Sequence, residues 1–310
     1  MKNHFVLLAI FSLLFIQCQQ TLKTPVAERW SEEKAWKWHQ ENGWMAGTNF
    51  NPSTAINQLE FFQEESFDME TIDLELSWSA ELGMEWHRVY LHNLLWDQDS
   101  LGFINRINAY LETADKYQIK TMLVLLDDVW HPLPKLGKQP DPTPFVHNSG
   151  WVQAPGATIL GDSLRHDELK NYIKGVISHF AEDKRVVAWD LYNEPDNVAN
   201  QPGYAELELK EQYTYTVALL KKVVRWAREV NPSQPLTIGI WKGDHSLWGN
   251  PQALRPLERF MIENSDVISF HSYDNLQVTT EKVEELKKYN RPIICTEYLA
   301  RGNGSTFEDI

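Results

Sequence analysis

Two glutamates carry the chemistry this sequence suggests. Glu194 stands in Trp189-Asp-Leu-Tyr-Asn-Glu-Pro-Asp-Asn197, at the end of an apolar run that begins at Val186 and is broken only by Asp190. Pro195 cannot donate to a sheet ladder and steers the residue before it away from helical backbone, so Glu194 belongs at a strand's rim. Asn, Pro and Asp would also suit a plain turn, so the motif needs a partner carboxylate on the same rim. Glu297 supplies one: in Pro292-Ile-Ile-Cys-Thr-Glu297 the period of two puts Ile293, Cys295 and Glu297 on one face. The same alternation sets Asn193 and Glu194 on opposite faces, and both reach one mouth only if the strand frays before Pro195. Two carboxyls across a mouth are what glycoside hydrolysis uses, one protonating the leaving oxygen while the other attacks or activates water.

The elements that must position this pair are short apolar runs alternating with amphipathic ones. Strands are predicted over 44–50, 86–91, 121–126, 186–192, 236–241, 267–273 and 292–298. Between them the spacing predicts helices over 72–82, 101–117, 168–180, 206–230, 253–263 and 281–289. Strict alternation implies a parallel sheet with right-handed crossovers, and the lack of a glycine-rich turn after the first strand favours an α/β (β/α)8 TIM barrel over a doubly wound sheet. The expected division is a leader over 1–18, a tether and lead-in helix over 19–43, and a barrel over 44–310 that stops before an eighth strand. From Asp127 to Arg165 runs a loop of about 39 residues, long enough to expect a substrate-facing flap.

In such a barrel the chemistry sits where strands end. The polar residues there are Arg88, His92 and Asn93; Asp127 and Asp128; Asn193 and Glu194; Trp241; His271 and Tyr273; and Glu297, with Trp151 in the long loop. A set this polar is not what a barrel core buries for stability alone. Arg88 and His271 could instead be structural hydrogen-bonders, Trp241 and Trp151 packing residues, and Asp127 and Asp128 read as loop caps. His92 and Asn93 are expected as sugar contacts.

Composition narrows the partners. The chain has 29 basic against 43 acidic residues, a net charge of −14, and no basic block, which argues against nucleic acid. Thirteen tryptophans are a heavy load, and the indole face suits sugar rings. No HExxH, CxxC pair, P-loop or GxGxxG occurs, so neither a metal nor a nucleotide cofactor is expected. Lys2 followed by the apolar run Phe5 to Ile16 has the form of an export signal, too short to span a bilayer. Cys18 at its end is where a bacterial lipoprotein would be acylated, so the expectation is an exported chain, lipid-anchored or secreted. Cys295 then remains as the single cysteine of the domain, with no disulfide or thiol role.

Taken together, Tyr192-Asn-Glu-Pro195, His271-x-Tyr273, Arg88 and Thr296-Glu-Tyr298 resemble the retaining glycoside hydrolases of clan A, the cellulase-like barrels of family 5 type, over about Trp44 to Thr306. The whole chain is also similar to proteins labelled 1,4-β-xylanases or cellulase-like lipoproteins in Bacteroidetes-type bacteria. The resemblance implies that Glu194 is the acid/base and Glu297 the nucleophile. It implies that Asn193 meets the sugar 2-hydroxyl, Tyr273 bonds the nucleophile, His271 lies beside the acid/base or the sugar, and Arg88 keeps Glu297 ionised. That clan places an aromatic residue after an eighth strand, which this chain does not reach. The expected activity is cleavage of a β-linked polysaccharide or oligosaccharide; a glycan-capturing lipoprotein on an inactive barrel and a transglycosylase are the alternatives.

Overall fold

The computed structural model describes residues 26–44, 46–199, 201, 203–306 and 308. The leader and Cys18 lie outside the described residues. In chain order the elements are α1 (Glu32–Asn42), β1 (Gly47–Asn49), α2 (Gln58–Phe62), α3 (Met69–Glu81), β2 (Trp86–Tyr90) and α4 (Asn93–Lys116). There follow β3 (Lys120–Val124), α5 (Ala157–Leu160), α6 (Lys170–His179), β4 (Val186–Asp190), α7 (Gln212–Val230) and β5 (Leu236–Thr237). The last are α8 (Pro256–Asn264), β6 (Ile268–Ser272), α9 (Leu276–Lys287) and β7 (Ile293–Tyr298).

All strand pairings are parallel, in the order β1-β2-β3-β4-β5 and β6-β7, with a bridge from Ile240 to Phe270 joining the two sets. Across the remaining gap the Asn49 side chain donates to the Thr296 carbonyl at 3.0 Å, so β7 comes round beside β1. Seven strands are thus described of a (β/α)8-type TIM barrel. Residues of β2, β4 and β6 are buried throughout, whereas β1 and β7 are more open, as expected for the two strands without a full neighbour. No helix among the described residues is long and apolar enough to cross a membrane.

Side-chain caps start the helices where the sequence places Asn or Asp. Asn57 accepts from Leu59 and Glu60, Asp68 from Thr71, and Asn275 from Val278, each satisfying amides that a helix leaves unpaired. Asn231, in left-handed backbone at φ 57°, ends α7. Their apolar faces meet the outside of the sheet in one cluster that includes Leu76, Ile107, Tyr172, Val223 and Leu257. Inside the barrel Trp86, Met122, Val187 and Ala188 form a smaller cluster, against which Trp38 of α1 packs. The Trp38 indole donates to the Val187 carbonyl at 3.2 Å, so the lead-in helix stops the end of the barrel opposite the strand C-termini.

Several boundaries differ from the sequence expectation. The fourth strand ends at Asp190 and not at Tyr192, which puts Asn193 and Glu194 in the following turn. The second crossover helix begins at Asn93 and not at Leu101: Asp99, with φ −157° and ψ 82°, kinks it, and its side chain caps Gly102 at 2.9 Å. The expected helix from Glu206 splits into a short 3-10 turn at Ala205–Leu207 and α7. The fifth strand is reduced to Leu236–Thr237 and the Ile240 bridge.

Candidate active site

Glu194 reaches the mouth by a strained backbone. Its φ is +41° and that of Asp196 is +67°, values that side-chain-bearing residues adopt at a cost of about 1–3 kcal/mol unless neighbours hold them. The turn is held on both sides. Asp128, buried after β3, accepts from the Tyr192 hydroxyl at 2.6 Å, the Asp196 amide at 2.8 Å and the Thr216 hydroxyl at 3.0 Å. The Trp241 indole donates to the Pro195 carbonyl at 3.2 Å, and Lys242 to the Asp196 carbonyl at 2.9 Å. This turn lets Asn193 and Glu194 join one network around Arg88, His271 and Glu297, which strand alternation forbids.

Arg88 of β2 is the centre of the charge network. It is buried, and its guanidinium donates to Asp190 at 2.6 and 3.0 Å, to Asn193 Oδ1 at 2.7 Å and to Glu297 Oε1 at 2.7 Å. Tyr90, one turn of the pleat further along β2, donates to the same Glu297 oxygen at 2.8 Å, and Tyr273 donates to the other at 2.5 Å. Burial by itself would raise the Glu297 carboxyl; neighbouring His271, the Arg88 guanidinium and the two phenols outweigh it and hold the group well below the usual carboxylate range.

Glu194 has a different setting. Asn197 donates to its Oε2 at 2.6 Å, and His271 Nδ1 lies 2.8 Å from its Oε1. The same Nδ1 is 3.5 Å from Glu297 Oε2, so one imidazole nitrogen bridges the two carboxylates. An oxygen of Glu194 and one of Glu297 lie within 4.8 Å of each other. The two carboxylates are therefore neighbours at one mouth, on either side of the same imidazole nitrogen. Glu194, His271 and Glu297 could also present three atoms to a cation. The Arg88 guanidinium already occupies one of those carboxylates, which makes the donor set poor for a second positive charge.

The residues expected at the mouth divide into two groups. Arg88, Asn193, Glu194, His271, Tyr273 and Glu297 are brought into one network. Trp151 joins it from the long loop: its indole donates to Asp127 at 2.7 Å and its ring stands edge-on to Tyr90 at 5.0 Å. Trp241 braces the Glu194 turn through its N–H, and the Lys242 ammonium lies over its ring, 5.1 Å from the centroid.

His92 and Asn93 do not join the network, a correction with a plain cause. Because α4 starts at Asn93, His92 is its cap: Nδ1 accepts from the Leu94 amide at 3.1 Å, and Nε2 meets the Gln153 carbonyl at 3.0 Å. Burial pushes this ring down to about 3, so it stays neutral, and both nitrogens are in use. Asn93 is fully buried as the first residue of the helix, next to Asp97. Asp127 is more than the loop cap expected of it. It does accept from Val129 at 2.9 Å, but it also takes the Asn193 side-chain amide at 2.9 Å. Cys295 has its thiol pushed up to about 12, chiefly by burial, which leaves it a poor nucleophile.

Tyr90 and Asp190 were missed by sequence reasoning, although each carried a signal. Tyr90 is two residues past Arg88 and therefore on its face, and Asp190 is the one charge in a run that is otherwise apolar.

Comparison with known proteins agrees with this geometry. A search of curated proteins gives no significant sequence match. Among solved structures, the β-1,4-mannanase of the common sea hare Aplysia kurodai is 14% identical, with 84% of this chain over 82% of that one at a TM-score of 0.54. The endo-β-1,4-mannanase of Thermotoga petrophila is 14% identical, with 84% of this chain over 62% of that one at a TM-score of 0.51. These likenesses concern the fold. The family model described as Cellulase (glycosyl hydrolase family 5) matches residues 84–306, a span that runs from β2 past Glu297. With most of the barrel and every member of the charge network inside that span, the chain belongs to glycosyl hydrolase family 5 and is a glycosidase.

Proposed function

We propose that this glycosidase cleaves a β-linked glycan by double displacement, with retention of configuration. The observation that carries the reading is the unequal treatment of two close carboxylates: their oxygens lie within 4.8 Å, and only Glu297 is clamped by a guanidinium and two phenols. An ionised Glu297 suits attack on the anomeric carbon. Glu194, on the other side of His271, suits protonation of the leaving oxygen and then deprotonation of the incoming water. Asn193 gives one N–H to Asp127 and its carbonyl to Arg88, which orients the amide so that its other N–H can meet the sugar 2-hydroxyl. Trp151, and Trp241 on the face away from Lys242, are the aromatic surfaces for neighbouring sugars. We place xylan beside mannan and glucan as candidate backbones, and a lipid-anchored or secreted location as the setting, on the sequence alone.

Azide separates the two roles. Glu297→Ala should lose turnover of every glycoside, and azide should restore some of it with inverted product. Glu194→Ala should keep the first step on substrates with very good leaving groups, and azide should intercept the intermediate with retained product. Exchanged outcomes would exchange the roles, and full activity in both variants would end the hydrolase reading of this pair. Transglycosylation would use the same carboxylates and is separated by product analysis with an added acceptor sugar. A capturing protein would bind glycan with no turnover.

A further inference from the structure

Behind Trp151, in the long loop after β3, lies a cavity of about 420 Å³ that catalysis does not use, of a size within the range of ligand sites. Its wall includes His131, Lys135, Lys138, Gln139, Val152 and Tyr204, and no lining residue is acidic. In a chain with a net charge of −14 that is a marked local reversal.

The two lysines ride on an anchored turn. Gln139, itself buried, donates to the carbonyls of Lys135 at 2.9 Å and Gly137 at 2.8 Å, and accepts from Asn57 of the α2 cap at 2.9 Å. Gln63 closes the same turn by accepting from the Gly137 amide at 2.6 Å. On the opposite wall Tyr204 is fixed by its hydroxyl, which donates to the Ser149 carbonyl at 2.8 Å, and its ring meets that of His131 at 4.7 Å. His131 Nδ1 accepts from the Leu133 amide at 3.1 Å, so the neutral ring carries its proton on Nε2 and offers a donor. Burial and the neighbouring Lys135 lower this histidine, which favours that neutral form.

Lys135, Lys138 and His131 Nε2 thus offer donors, lysine having no acceptor at all, and they outnumber the Tyr204 oxygen, which can accept. A neutral sugar hydroxyl is matched by donors and acceptors together, whereas a carboxylate or sulfate accepts only. The cavity is also coupled to the mouth. His131 pairs with the 151–153 segment, its amide donating to the Trp151 carbonyl at 3.0 Å and its carbonyl accepting from Gln153 at 3.0 Å. Along that segment Trp151 turns toward Tyr90 and Asp127, while Gly150 and Val152 line the cavity.

We propose that this cavity is a subsite for a sugar bearing a negative charge, a uronate carboxylate or a sulfate ester, and hence that the glycan cleaved is an acidic one. The second half of this statement rests on the glycosidase reading of the mouth; the binding half does not.

The test is a binding titration of the Glu297→Ala protein, followed by NMR, with glucose, glucuronate, glucose 6-sulfate and acetate as probes. Two exposed ammonium groups, at about 0.2–1 kcal/mol each, predict that a charged sugar binds about two- to thirtyfold tighter than glucose, less so in high salt. The Lys135→Gln, Lys138→Gln double variant should erase that preference, and Tyr204→Ala should weaken all three sugars. Tighter binding of glucuronate than of glucose 6-sulfate would identify the carboxylate as the partner, and the reverse order the sulfate; either supports the subsite. Equal affinity for glucose and both charged sugars would overturn it, as would acetate binding as tightly as glucuronate, which would make the cavity a simple anion sink. Charge-selective binding together with a wild-type protein that hydrolyses no glycan would keep the subsite and defeat the reading of the mouth.

Discussion

Replacing Arg88 by Met tests the charge network at its centre. The Arg88 side chain is 4% exposed, and its partners Asp190 and Glu297 are 0% and 11% exposed. The variant keeps the bulk of the stem and leaves both carboxylates buried without their counter-charge, and Asn193 Oδ1 without its donor. Breaking a buried pair in this way costs about 3–5 kcal/mol, because the desolvation of the remaining partner is no longer offset. With a urea slope of roughly 2–3 kcal/mol per molar for a chain of this size, the midpoint at pH 7 should fall by about 1–2.5 M. Activity should report the same loss by a second route. In the wild type the depressed Glu297 carboxyl contributes stability above its unfolded value of about 4.3, and that contribution is lost as pH falls through the folded value. Without the guanidinium, burial is opposed only by His271 and the phenols, so Glu297 should protonate at higher pH and the acid limb of kcat/KM should move up. A stability loss below about 1 kcal/mol together with an unmoved acid limb would refute the reasoning.

Other consequences follow from single side chains. Asp128 is lifted to about 6, chiefly by burial, so the folded state binds its proton more tightly than the unfolded chain; its contribution to stability should fall as pH rises from about 4 to 6, and Asp128→Asn should flatten that part of the urea stability profile by on the order of 2–3 kcal/mol. An unchanged slope in the variant would count against it. His92→Ala should lower thermal stability by about 1–3 kcal/mol through the lost cap and leave KM for a glycan unchanged; a raised KM at normal stability would return His92 to the sugar site. Chelation with EDTA should leave hydrolysis unaffected because Arg88 holds the carboxylate a cation would need, and loss of activity restored by a divalent ion would make Glu194, His271 and Glu297 a metal centre.

The barrel was legible because its strands are short apolar runs and its helices carry stripes at helical spacing, patterns that burial imposes directly on residue type. Arg88, Glu194, His271, Tyr273 and Glu297 could be gathered by asking which polar residues end those strands, since position along a strand already fixes the end of the barrel that it faces. The left-handed backbone at Glu194 could not be read in this way. It depends on Asp128, Trp241 and Lys242, which come from other parts of the chain and meet the turn only in the folded state. The helix starting at Asn93 was obscured for a local reason: the kink at Asp99 interrupts the stripe, so the apolar period becomes visible only from Leu101. The pattern therefore places His92 at a strand end, whereas the fold makes it a helix cap. Asp127 and Asp128 did cap loops, but their tertiary bonds to Asn193 and to the Glu194 turn leave no mark on local sequence.

The central claim is that Glu297 attacks the anomeric carbon directly. Following the first minutes of hydrolysis of a β-linked oligosaccharide by proton NMR, before mutarotation mixes the anomers, tests it most directly. Double displacement predicts that the new reducing end appears first as the β anomer. First appearance of the α anomer would mean a single displacement by water, and would contradict the assignment of Glu297 as nucleophile.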